Sequence, residues 1–355
     1  MQRESPSSLA RYLFAAYTLL VIYASMHPFS GWTGTGVPAF AFLTFSMPRY
    51  FTAFDVLANI AGYVPLGLLG VMTVYPRLRQ WPAAAMAAGF ALLLSLGLEA
   101  LQTYLPRRFP SSLDVAANAA GGLLGALCGV VLTRLVLRDA GLQALRYRLF
   151  RPGARIDFGL VLLGLWLFSQ LNPETVLFGN GDLRELFHSP LAEHHRADVF
   201  IRAEAAVAAA NTLAVCLFLS ILVRHGQPVR PLMFTLLGLA LLARAFCYSL
   251  LFGTDDALLW LTPGAVFGVA AGSAVAAIAV GFSLPARTAL GGIALMAATT
   301  IVNLAPENPY QAMFMGQWQQ GHFLNFTGLT RVVSTLWPFA SLAWLLSLAG
   351  QRQRQ

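Results

Sequence analysis

The sequence has no lysine. All 23 basic positions are arginine, and charged residues of either sign make up only 11% of its 355 residues. A soluble domain usually carries about 25%. The few charges cluster in short segments and leave long apolar runs between them, in a chain that is 57% hydrophobic. That excludes one large aqueous domain and predicts a polytopic membrane protein. The formal charge of +8 does not point to nucleic acid, because the arginines lie in short links and build no basic domain. Cysteine is scarce as well. Cys128, Cys216 and Cys247 each sit inside an apolar run with no CxxC or Cys/His spacing. Zinc and disulfide readings are weak, and small apolar filler remains. No nucleophile, metal set or cofactor motif stands out, so no cofactor is expected.

A hydrocarbon core of about 30 Å needs roughly 20 apolar residues per helix. Ten segments qualify as expected spans: 9–27, 54–74, 82–104, 113–137, 157–172, 203–223, 232–252, 257–281, 288–305 and 329–349. The first resembles a signal peptide, with Arg3 and Arg11 before an apolar run. "SMHPFSGW" follows with no A-x-A pattern, so an uncleaved span is expected. The expected fold is all-α: a polytopic transmembrane helical bundle of about ten spans. Its expected parts are a four-helix membrane domain over 1–137, a basic cytoplasmic linker over 138–156, and a second helical membrane region over 157–355.

Arginine counts set the expected orientation. With the N-terminus cytoplasmic, inner segments hold fifteen arginines and outer segments seven, and Arg244 is mid-span. That asymmetry predicts N-in and C-in in a bacterial inner membrane. "DAGLQALRYRLFRPGAR" is the longest inner link and reads as a basic segment on anionic headgroups. Arg107 and Arg108 run against the bias, in a very short outer loop. Partners are therefore expected for them, and Glu99 and Asp114 are the nearest acids in sequence.

The spacing of spans recurs. "HPFSGW", "QLNPETVLFG" and "NLAPENPYQ" each end a span before a long outer segment. Asn59 can be laid on Asn211, and "GGLLG" from Gly121 on "GAVFG" from Gly264. Glu99 then falls opposite Arg244 and Asp114 opposite Ala257. This reads as a four-span unit, a diverged copy without the acids, and a final half copy. Glu204 and Arg244 are a candidate pair in the second unit.

Polar residues gather around "SLGLEALQTYLPRRFPSSLDVAANAAGG". Asp55 and Asn59 share one helix face, as do Asp114 and Asn118 at the same i, i+4 spacing, and Glu99 and Gln102 are i, i+3. In the N-in arrangement all of them lie near the outer interface. Ionisable residues at such depth mark function or specific pairing. Below Asn118 runs a stripe of Gly121, Gly122, Gly125 and Gly129, which lets helices approach closely. An outward pocket roofed by "PRRFPSS" is expected.

These residues carry a resemblance. "DVLANIAGYVPLGLLG", with Asp55, Asn59, Pro65 and Gly67, resembles the first signature of the VanZ-like family. "EALQTYLPRRFPSSLDVAANAAGGLLG", with Glu99, Gln102, an arginine, Asp114, Asn118, Gly122 and Gly125, resembles the second. Arg108, six residues before Asp114, matches the motif arginine; many members carry an acid where this chain has Ser111. The resemblance covers residues 10 to about 137. It implies a four-span membrane domain and a link to low-level resistance to the glycopeptide teicoplanin.

Structural readings stand beside functional ones. Ser111-x-x-Asp114 is a capping-box pattern, and Asp55 also starts a helix. Glu99 sits near a helix C-terminus, where the dipole disfavours a carboxylate. His27 before Pro28 reads as a span exit. His188, His194 and His195 do not fit the HExxH zinc pattern, and "QAMFMGQWQQGHF" reads as interfacial, with Trp318 at headgroup depth. The leading functional expectation is a non-catalytic pocket formed by Asp55, Asn59, Glu99, Gln102, Arg107, Arg108, Ser111, Asp114 and Asn118. Its expected partners are membrane lipids, a lipid-linked cell-wall precursor or a glycopeptide. The alternatives are a lipid or small-molecule transporter, an intramembrane acid/base enzyme using Glu99, and a scaffold.

Overall fold

The computed structural model describes residues 7–34, 36–44, 52–106, 108–136, 141–184, 197–305 and 324–352. Arg107, His188, His194, His195 and Trp318 lie outside the described residues. Among the described residues eleven α-helices follow one another: α1 (Ser8–Met26), α2 (Ala53–Val74), α3 (Gln80–Gln102), α4 (Ser112–Val136), α5 (Leu142–Leu149), α6 (Ala154–Ser169), α7 (Ala197–Leu222), α8 (Val229–Phe252), α9 (Pro263–Ala279), α10 (Leu284–Leu304) and α11 (Leu324–Arg352). Among the described residues the β-structure is one isolated bridge, Phe150 to Val223.

Every expected span contains a helix. Eight are long and apolar enough to cross a membrane: α1 to α4, α7, α8, α10 and α11. The other two are shorter, at 16 residues for α6 and 17 for α9, against the roughly 20 that a perpendicular span needs. The short start of α9 has a local cause. Thr262 caps it through a 3.0 Å bond from the Ala265 N–H, and Pro263 takes the first turn, where its missing N–H costs nothing. The expected start at 257 is therefore displaced. Large apolar side chains point outward, with Leu93 70% and Leu242 67% exposed, as a lipid-facing surface requires.

The chain divides into two compact units. The first comprises Met1–Arg148 and Pro152–Phe158, the second Leu149–Arg151 and Gly159–Gln355. In the first, α2 and α4 pack backbone to backbone. A Cβ added to Gly121 would collide with the Ile60 carbonyl, one on Gly125 with the Val64 carbonyl, and one on Gly67 with the Gly122 carbonyl. Gly122 also meets Ala91 of α3. With α4 held this close, Tyr63, Leu66, Ala91 and Leu98 form a dry core with Met26 of α1. The basic link carries α5, whose Arg146 pairs with Asp157, the residue that Ser8 also reaches.

The second unit uses the same device between α7 and α9. Gly264, Gly268 and Gly272 lie over the carbonyls of Ile201, Ala205 and Ala209. Its other feature was not expected. Residues after α6 read as an exit loop, yet Gln170, Asn172, Leu177, Phe178 and Asn180 are almost fully buried. Irregular backbone survives inside an apolar bundle only when its polar groups are satisfied. One face of α8 does that here. Arg244 donates to the carbonyls of Asn172 and Thr175. Cys247 reaches that of Leu171 at 3.0 Å, and the Tyr248 hydroxyl donates to Pro173 at 3.2 Å. Gly181, at φ +82° and close against Pro338 and Thr299, permits the turn that follows.

Candidate functional site

Three helix ends of the first unit converge: the end of α3 and the starts of α2 and α4. Ser111 caps α4, its hydroxyl accepting the Leu113 N–H at 3.1 Å. In the expected local box, Asp114 would reach back to the Ser111 N–H. Instead Glu99 takes that N–H at 2.8 Å from α3, and Asp114 accepts the Asn59 side-chain amide at 3.0 Å from α2. The cap is completed by a neighbouring helix, so one small polar network holds three helices together. Asp55 behaves differently. It forms a complete capping box with Thr52 at the start of α2, with bonds of 3.0 and 3.1 Å. Its carboxylate and that of Asp114 repel one another.

The end of α1 supplies backbone acceptors. The last carbonyls of a helix lack intrahelical donors and carry its negative dipole. Arg108 fills that position: its Nη2 donates to His27 at 2.6 Å and Ala24 at 3.3 Å, and its Nε to His27 at 3.2 Å. Gln102 donates to the Ser25 carbonyl at 3.0 Å. Burial lowers the Arg108 pKa below the ordinary arginine value, and the nearby Glu99 carboxylate opposes that shift. Arg108 thus acts on Glu99 through its charge while its hydrogen bonds cap α1. His27 ends α1 as expected, its Nδ1 2.9 Å from the Tyr23 hydroxyl.

A second polar layer lies below. Asn118 Nδ2 donates to Ser95 Oγ at 3.0 Å, and Tyr63 lies close to Ser95. The Asn118 oxygen is buried with no hydrogen-bond partner among the described residues. Sequence reasoning missed Ser95 and Tyr63. The signal was available for Ser95, which is i−4 to Glu99 and so shares its face. Nothing comparable marks the α1 carbonyls, since backbone acceptors leave no trace in residue type. Of the nine expected residues, seven join this cluster: Asn59, Glu99, Gln102, Arg108, Ser111, Asp114 and Asn118. Asp55 stands at its edge, and Arg107 is outside the described residues. Among the described residues no group of three His, Cys, Asp or Glu could hold a metal ion.

Long apolar helices enclosing a polar cluster at one end define a polytopic membrane protein. The family model described as VanZ/LLP1 matches residues 9–133, which run from α1 into α4. Over these residues the chain is similar to the VanZ/LLP1 family, in agreement with the resemblance read from its two signatures. Comparison with curated proteins and with solved structures gives no match.

Proposed function

We propose that the VanZ-like unit is a binding protein of the bacterial inner membrane, with an outward-facing pocket for the polar head of an envelope lipid, a lipid-linked wall precursor or a glycopeptide. The observation that carries this reading is the convergence of Asn59, Glu99, Arg108, Asp114 and Asn118 at one end of an otherwise apolar bundle. Buried polar groups are costly unless satisfied, and the Asn118 oxygen has no partner among the described residues. A ligand hydroxyl or amide N–H would satisfy it. Arg108 gives the pocket a positive charge near its rim, suited to phosphate or carboxylate. The N-in, C-in orientation, read from arginine bias, turns this end outward.

Native mass spectrometry of the full chain with its co-purified lipids tests the proposal. The expected result is a retained anionic lipid that is lost in Arg108→Ala. Equal retention by both proteins removes the pocket. Conversion of the retained lipid to a product would assign catalysis to the site instead.

A further inference from the structure

The polar cluster of the first unit is uneven in what it leaves over for a ligand. Its side-chain donors are turned to the protein. Asn59 donates to Asp114, Gln102 to the Ser25 carbonyl, Asn118 to Ser95, and Arg108 to the carbonyls of Ala24 and His27. Acceptors remain. Glu99 takes the Ser111 N–H on Oε2, and Asp114 takes the Asn59 amide on Oδ1. Among the described residues the second oxygen of each, Glu99 Oε1 and Asp114 Oδ2, receives no hydrogen bond. The two carboxylates are close enough to repel one another. The third spare acceptor is Asn118 Oδ1. Its side chain is only 6% exposed, and the atom has no partner among the described residues.

Helix geometry gathers these three oxygens. Asp114 and Asn118 are i, i+4 on α4, and Ser95 and Glu99 are i, i+4 on α3, so each pair shares a face. The bond from Asn118 to Ser95 crosses between the two helices one turn below the carboxylates. Buried acceptors without donors are satisfied by a ligand that brings donors. Those donors need carry no charge. Arg108 already sets its charge against Glu99. Reaching the Asn118 oxygen also means leaving water, which costs an ammonium far more than a hydroxyl. Two hydroxyls on adjacent carbons supply two donors from one small neutral group, one for a carboxylate oxygen and one for Asn118.

We propose, resting on the pocket assigned above, that it selects a polyol phosphate: a headgroup whose phosphate, met by Arg108, is followed by free hydroxyls that Glu99, Asp114 and Asn118 accept. A phosphodiester without hydroxyls meets Arg108 and leaves the three acceptors unmet. The same polyol phosphate is carried by a lipid headgroup and by a free soluble ester.

The full chain is tested as wild type, Arg108→Ala and Asp114→Asn. Asparagine at 114 keeps an oxygen for Asn59 and replaces the spare acceptor by a donor, with almost no change of size. Each protein is exposed in detergent to equal amounts of phosphatidylglycerol, phosphatidylpropanol and phosphatidylethanolamine, and bound lipid is read by native mass spectrometry. The first two lipids differ only in hydroxyls, and the third carries an ammonium. Wild type should hold phosphatidylglycerol at least about tenfold above both others, the difference that one or two hydrogen bonds make. Asp114→Asn should hold phosphatidylglycerol and phosphatidylpropanol about equally, and Arg108→Ala should lose both. Thermal shifts with glycerol phosphate and propyl phosphate run in parallel. Stabilisation of wild type by glycerol phosphate alone, with no lipid preference, makes the free ester the source. Equal retention of phosphatidylpropanol or phosphatidylethanolamine by wild type, with no glycerol phosphate shift, overturns the polyol assignment and leaves an anion or headgroup pocket standing. A preference undiminished in Asp114→Asn overturns it as well. Retention unchanged in Arg108→Ala instead removes the pocket. Should Asp114→Asn fail to fold, Glu99→Gln makes the same exchange of acceptor for donor while keeping an oxygen for the Ser111 N–H, and a wild-type preference in that protein overturns the proposal.

Discussion

The Ser111 main-chain N–H donates to the Glu99 carboxylate at 2.8 Å, and this bond joins the end of one helix to the start of the next. It answers why an acid sits where the helix dipole opposes it. The negative end of α3 is unfavourable for Glu99, but the positive end of α4 is directly in reach, and Arg108 adds its charge. A glutamine at position 99 keeps a carbonyl oxygen for the Ser111 N–H and loses the charge. Glu99→Gln should therefore stay within about 1 kcal/mol of wild type in stability, whereas Glu99→Ala, which leaves a buried donor unmet, should cost about 1–3 kcal/mol. Lipid retention should fall in both. Thermal unfolding in detergent, paired with lipid co-purification, checks this; undiminished retention in a stable Glu99→Gln protein would leave the residue as a helix clamp only.

Arg108 makes its hydrogen bonds to Ala24 and His27, so its role does not reduce to a bridge with Glu99. Exchanging the two charges, with arginine at 99 and glutamate at 108, should not rescue either single change. A carboxylate at 108 would face carbonyl oxygens and the negative end of α1. Arg108→Lys should also lose stability, because one ammonium cannot reproduce the planar fork across two carbonyls. A double mutant recovering most of the wild-type melting temperature would contradict this.

The glycine ladders predict a sharp positional contrast. Gly125→Ala and Gly268→Ala place a Cβ on a backbone carbonyl, which cannot yield as a side chain can. Each should cost about 1–3 kcal/mol, as overpacking does, and the leucine variants of Gly122 and Gly125 should cost more. Gly97 has nothing within 4 Å, so Gly97→Ala should be neutral or slightly stabilising, by up to about 1 kcal/mol. Urea or thermal melts of the three alanine variants separate these outcomes. Equal effects at all three would mean that the helices are not packed this tightly.

Much of this fold was legible because membrane spans obey a simple constraint of length and apolarity. All ten expected segments contain helices; the start of α9 moved inward by six residues at the Thr262–Pro263 cap, and α7, α10 and α11 begin four to six residues before their expected starts. The polar cluster was legible as far as side-chain spacing reaches: Asp114 and Asn59 share a depth and meet at 3.0 Å. Two features were hidden. Arg108 and Gln102 bind main-chain carbonyls of α1, and acceptors common to every residue leave no pattern. The segment after α6 is buried because of Arg244, Cys247 and Tyr248, some 70 positions later. A lone arginine in mid-span was its one visible sign.

Orientation can be tested with single cysteines. Ser111 is buried at 9% exposure and would label poorly, whereas Phe109 in the same link is 87% exposed. A cysteine at Phe109 should react with an impermeant maleimide added to intact cells, and one at Arg79 should not. Wild type serves as the reference for its three native cysteines. Labelling at position 79 with none at 109 would reverse the topology, and with it the outward direction of the proposed pocket.

The segment after α6 should depend on one side chain. Arg244 is 1% exposed and satisfies the carbonyls of Asn172, which is buried, and Thr175, which is partly buried. Removing it leaves both acceptors unmet, at about 1–3 kcal/mol each, and also deletes a charge stacked 5.4 Å from the Tyr248 ring. Arg244→Lys offers a single ammonium where two diverging donors are needed. Both Arg244→Ala and Arg244→Lys should therefore loosen residues 170–183 specifically. Hydrogen–deuterium exchange reads this directly: amides of that segment should exchange at least about tenfold faster, while peptides from α2 and α4 keep their wild-type protection. Cys247→Ala, which removes only a weak sulfur donor, should leave exchange almost unchanged. If Cys247→Ala loosens the segment as much as Arg244→Ala does, the burial is held by packing of the α8 face, and the arginine is present for its charge on Glu204 alone.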